Sequence, residues 1–75
     1  MHLGISFFTD VARYHETMPC ERHDRVYPTL EMAEEKARAL LPDVRKRHGS
    51  TVGYAITDMG TNYTWAIGPG RHDHA

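Results

Sequence analysis

Between residues 29 and 49 apolar side chains recur at Leu30, Ala33, Ala37, Leu40, Leu41 and Val44. That spacing places them on one stripe of a 3.6-residue helix, with Glu31, Glu34, Glu35, Arg38, Arg45 and Lys46 on the other side. Thr29 is positioned to cap the first turn, and Pro28 discourages an earlier start. Gly49 suits the left-handed position that closes a helix. Pro42 is discordant: it lacks an N–H and its ring crowds the preceding turn, so the spacing predicts a kink or a division near Leu41.

Elsewhere the period drops to two. Leu3, Ile5 and Phe7 alternate with Gly4, Ser6 and Phe8, which predicts a half-buried strand over residues 2–8. Residues 11–15 are expected to add a short second strand or to continue the first as a bent one. Residues 16–24 have no period and contain Pro19, and read as a surface loop. Residues 25–27 are extended ahead of Pro28 and suit a short edge strand. Val52, Tyr54 and Ile56, then Tyr63, Trp65 and Ile67, mark two further strands. Pairing Ile56 with Trp65 and Tyr54 with Ile67 puts the large groups on one face, towards the helix. It leaves a four-residue loop, residues 59–62, that includes Gly60. The other face would then carry only small residues: Gly53, Ala55, Thr57, Thr64 and Ala66.

The expected fold is therefore α+β: a small antiparallel sheet of three or four strands packed on one Pro-kinked helix, in the order strand (or two), loop, helix, strand, strand. At 75 residues the chain holds one domain with a modest core, a length at which self-association often adds stability, so a homo-oligomer is within the expectation. Residues 69–75 read as a disordered tail.

Composition narrows the function classes. Charged residues make up 25% and the formal net charge is −1, which is globular and too acidic for a general polyanion binder. The single cysteine, Cys20, excludes an internal disulfide. No leader or membrane-length apolar run is seen, so a cytoplasmic setting without membrane contact is the expectation.

Three sets of residues carry candidate chemistry. His15, Cys20 and His23 include a C-x-x-H spacing that suits zinc, and His72 and His74 stand ready to close such a site. Only one pair has ligand spacing, so a His-rich polar loop is the simpler account and no cofactor is expected. Arg38, Arg45, Lys46 and Arg47 are candidates for phosphate contacts, with Tyr54, Tyr63 or Trp65 as stacking surfaces. The competing account is a solvated helix end that balances the dipole, with the aromatics used as core. No G-x-S-x-G, phosphate-binding glycine loop or H-E-x-x-H occurs, and nothing orients Cys20 and His23 as a thiol–imidazole pair, so the chain is not expected to be an enzyme.

The run YPTLEMAEEKARALL, followed by TVGYAITDMGTNYTWAIG, resembles small bacterial and phage proteins in which a helix opened by T-L-E-x-A lies on a strand hairpin. Some compact anti-CRISPR proteins of phages share this build. The resemblance covers residues 27–68 and implies a stoichiometric binder or inhibitor; it transfers no site residue. A non-enzymatic protein-interaction module follows as the first expectation, with another protein as its partner. Its contacts are expected at Glu31, Glu34, Glu35 and Arg38, in the loop around Cys20 and on the small sheet face. Nucleic-acid binding ranks second, and a zinc-dependent module third.

Overall fold

The computed structural model describes residues 2–69, the side chain of Asp24 excepted. The elements are β1 (Leu3–Phe8), a single 3-10 turn (Val11–Arg13), β2 (Glu21–Tyr27), α1 (Leu30–His48), β3 (Gly53–Asp58) and β4 (Thr64–Gly68). All strand pairs are antiparallel, in the spatial order β2-β1-β3-β4. The α+β class and the order of elements are as the periodicities predict. No described helix is long and apolar enough to cross a membrane.

The start of α1 is the predicted one. The Met32 N–H donates to the Thr29 hydroxyl at 3.2 Å, and Gly49 closes the helix at φ 122° with its N–H on the Arg45 carbonyl. The stripe Ala33, Ala37, Leu41 and Val44 is buried against one face of the sheet. That face carries Leu3, Ile5 and Phe7 of β1 beside Tyr54 and Ile56 of β3, with Val52 at the strand entrance. Two alanines on the helix bring its axis close to the sheet, so the large groups come mainly from the strands. Each large buried side chain contributes roughly 1.5–3 kcal/mol, so this one interface dominates stability.

The helix is not divided at Pro42: it runs unbroken for 19 residues. Leu41 and Val44, on either side of the proline, are both buried, so the same sheet holds both halves of the helix. Pro42 itself is exposed.

Three expectations need correction in the sheet. Residues 11–15 do not form a strand: Val11–Arg13 makes a 3-10 turn, closed by the Arg13 N–H on the Asp10 carbonyl at 3.0 Å. The strand after it is longer than the sequence suggests. β2 takes in Glu21–Tyr27, so the last part of the polar loop at 16–24 is strand. Its local propensity is poor, but β1 offers a free edge, and ladder bonds override propensity there. A bulge between Gly4 and Ile5 absorbs the misfit between the two strands.

The third correction concerns the hairpin. Thr57 pairs with Thr64, the register the alternation predicts, but beyond it Ile56 faces Ala66 and Tyr54 faces Gly68. One extra residue, Trp65, is accommodated as a bulge, and every later side chain of β4 turns over. The loop is five residues, 59–63, and its positive-φ residue is Asn62 (φ 65°), not Gly60. The Asn62 N–H donates to the Asp58 carbonyl at 2.7 Å, and Asp58 Oδ1 accepts from the Gly60 N–H at 2.8 Å. Tyr54 explains why the shifted register fits. Its ring lies where a side chain at position 68 would stand, so a Cβ on Gly68 would overlap it. Ala66 and Gly68 are what the helix side has room for.

Two substitutions test this account. Gly68→Ala should lower stability by about 1–3 kcal/mol in urea unfolding, because Tyr54 must move. A neutral result would show that the Tyr54 ring does not occupy that space. Pro42→Ala restores a helix hydrogen bond at an exposed site and should raise the melting temperature, by up to roughly 3 kcal/mol of stability; a decrease would mean that the proline serves the packing.

Candidate functional site

Because α1 covers one face of the sheet, the other face is open. The bulge in β4 puts Trp65 and Ile67 there, 47% and 40% exposed, instead of under the helix. Tyr63, also exposed, meets Trp65 edge to face at 5.0 Å between ring centroids. Tyr54, by contrast, is 2% exposed and belongs to the core. So the expectation that all the hairpin aromatics are core filling holds for Tyr54 and fails for Trp65 and Tyr63.

The small residues on this face are Gly4, Ser6, Ala55, Thr57 and Thr64, with Thr57 and Thr64 sharing a hydroxyl contact at 3.5 Å. Ala66, expected among them, lies on the helix side. The chain after β1 folds back over one end of the face. Val11 packs where a side chain at Gly53 would be, and Tyr14 meets the Phe8 ring at 6.2 Å. Thr51 fixes this turn by donating its hydroxyl to the Thr9 carbonyl at 2.7 Å. At the other end Met59 lies over Gly4. Between these walls runs a groove of about 570 Å³ floored by Gly4, Ser6, Thr57 and Thr64.

The predicted basic set is split by the fold. Arg45 donates from Nε to the Val52 carbonyl at 2.8 Å, which ties the helix end to the entrance of β3. Arg47 forms a two-point ion pair with Glu21 of β2, one bond of which is 2.8 Å, and His48 Nε2 lies 2.9 Å from the same carboxylate. These contacts hold the Glu21 pKa down to about 2, through the Arg47 hydrogen bonds first and His48 second. They raise that of Arg47 in return. Arg38 and Lys46 are exposed. Arg38 borders a second cavity of about 490 Å³ with Arg45, Leu41, Pro42, Tyr54 and Pro69. The four residues thus do not form one basic surface.

Glu31, Glu35 and Arg38 are exposed and Glu34 is half-buried, all on the part of α1 turned from the sheet. They form a surface, but on the side of the molecule opposite to the groove.

The His15, Cys20 and His23 set is not gathered. His15 is exposed, 3.4 Å from the Glu16 carboxylate. Cys20 packs against the core, and burial pushes its thiol pKa up, the reverse of what a reactive thiolate requires. His23 stacks on Tyr27 and shares a 2.7 Å hydrogen bond with its hydroxyl. Among the described residues no three His, Cys, Asp or Glu side chains converge on a common point. His72 and His74 lie outside the described residues.

No family model, curated protein or solved structure matches the chain.

The Glu21 cluster gives a pH prediction. Its folded pKa, about 2, lies below the ordinary 4.5, so its stabilisation is complete above pH 4.5 and lost as pH falls towards 2. Wild type should lose stability across that window, and Glu21→Gln should flatten this part of the profile while being less stable at pH 7. Superimposable acid limbs in thermal melts would show that the pair contributes nothing.

Proposed function

We propose that this chain is a non-enzymatic protein-interaction module acting by stoichiometric binding, and that it contacts its partner through the open face of the sheet. The observation that carries the reading is the placement of Trp65, Ile67 and Tyr63 in solvent on the face of the sheet that α1 does not cover. Aromatic side chains of this kind each offer roughly 150–250 Å². The three together leave on the order of 300 Å² of largely apolar surface uncovered, within the size range at which the largest patch on a monomer is often functional. Rigid aromatics at the centre of a patch are also the residues that most often dominate interface energy. Residues 27–68 resemble small bacterial and phage proteins, some of them inhibitors, which fits occupation of a target one to one.

This reading moves the contact surface from the acid stripe of α1 to the far side of the sheet. The stripe lacks a large exposed apolar anchor apart from Met32. Single-stranded nucleic acid is the runner-up, because Trp65 and Tyr63 offer ring faces for stacking. It is weaker because Arg45 and Arg47 are engaged within the fold and the chain's net charge is −1.

Affinity capture from the native host with three forms of the chain decides between the surfaces. Trp65→Ala with Ile67→Ser should abolish recovery of the partner while leaving the melting temperature within a few degrees of wild type. Glu34→Lys with Glu35→Lys should retain it. The opposite pattern returns the site to the helix. Salt-sensitive oligonucleotide binding lost with Trp65→Ala would favour the runner-up.

A further inference from the structure

The groove on the open face of the sheet has a one-sided charge pattern. The chain has ten acidic residues, yet among the described side chains no Asp or Glu lines the groove. Arg22 and Arg25 of β2 do line it, as do His15 and His23. Both arginines are exposed, and among the described residues neither has a carboxylate partner. Arg13, by contrast, is paired with Glu16 at 3.0 Å and Arg47 with Glu21. The acids of α1, meanwhile, sit on the opposite side of the molecule. Among the described side chains the charged lining of the groove is therefore cationic, in a chain of slightly negative net charge.

Its walls are apolar and adaptable. Met18 is 87% exposed on one wall, Met59 closes the far end, and Val26 borders the arginines. Unbranched methionine repacks against varied side chains and is over-used at binding surfaces for that reason. The floor of Gly4, Ser6, Thr57 and Thr64 is low, with three hydroxyls as hydrogen-bonding groups.

We infer that this groove takes an extended acidic segment of the partner protein, with carboxylates on Arg22 and Arg25 and apolar side chains between Met18, Met59 and Val26. The inference rests on the open-face reading above and specifies the chemistry of the partner. A peptide suits the groove better than a nucleic-acid strand. Two cations on one wall pair with two carboxylates, whereas a phosphate backbone needs a continuous basic track and gains affinity with every phosphate neutralised. Methionine walls match leucine or valine side chains, and arginine can hold a carboxylate at two points.

Fluorescence anisotropy with the full chain tests it, using three labelled probes: a short peptide alternating glutamate and leucine, its lysine–leucine counterpart, and an oligothymidylate. The acidic peptide should bind, more weakly as salt rises, and the basic one should not. Arg22→Glu with Arg25→Glu should weaken the acidic peptide at least about tenfold, since each lost charge-assisted contact is typically worth such a factor. Arg22→Gln with Arg25→Gln should give an intermediate loss, and unchanged thermal melts of both variants would exclude misfolding. Equal binding of the two peptides, binding of oligothymidylate alone, or indifference to both arginine pairs would overturn the inference. If the acidic peptide fails while Trp65→Ala with Ile67→Ser still abolishes partner capture, the open-face reading stands and only the acidic partner falls. If both fail, the open face is not the binding surface.

Discussion

A single helix can cover only one face of a four-stranded sheet, and that constraint shapes everything else in this molecule. α1 lays Ala33, Ala37, Leu41 and Val44 on Leu3, Ile5, Phe7, Tyr54 and Ile56, which form the main cluster, while Phe8 and Ala55 are buried on the other face. No charged or polar residue is buried among the described ones, so the interior is held by apolar packing alone. The volume under the helix is filled chiefly by strand side chains, with Tyr54 reaching across to Gly68. A tryptophan on that side of β4 would have to displace the tyrosine. The bulge at Trp65 resolves the competition by sending the larger ring to the face that has room.

The polar contacts follow from the same arrangement. Once α1 lies across the inner face, its C-terminal turn stands beside the start of both β2 and β3. Arg45 then finds the Val52 carbonyl, and Arg47 and His48 find Glu21. A basic run that looks like a ligand site in one dimension is largely consumed in fastening three elements together. Cations at a helix C-terminus are favoured by the dipole in any case, so their presence needs no ligand. Arg22 and Arg25, which have no acid partner among the described residues, are on β2, a strand whose polar sequence gives no periodic signal.

Much of the architecture could be read directly. The 3.6-residue stripe, the Thr29 cap, the Gly49 stop and the alternation in residues 3–8 each rest on local chemistry, and each is found. β2 was legible only at its end, because Glu21, Arg22 and His23 form a strand through bonds to β1 that no local pattern encodes. The hairpin shows the same limit more sharply. Its turn-proximal pair, Thr57 with Thr64, follows from alternation, but a bulge of one residue reverses the faces of Trp65 and Ile67. Alternation counts parity, and parity cannot see an insertion. Asn62 was the available sign: asparagine tolerates positive φ, and a left-handed residue at the end of a hairpin loop often accompanies a bulge. The candidate surface is hidden for this reason, since alternation alone places its main residues in the core.

That reversal also changes what kind of surface the open face is. A face of glycine, alanine and threonine alone would be flat, with little to anchor a partner. Tyr63, Trp65 and Ile67 give its β4 side a ridge, and the folded-back segment with Met18 walls the groove that lies over Gly4, Ser6, Thr57 and Thr64. A ridge of rigid rings supplies contact area at low entropic cost, because few rotamers are frozen on binding. The neighbouring arginines supply direction, because charge fixes the orientation of an approaching segment more than it adds affinity. Both arise because the described residues supply one helix over the inner face and only a short turn over part of the outer one, which leaves Trp65, Ile67 and Tyr63 to face solvent or a partner.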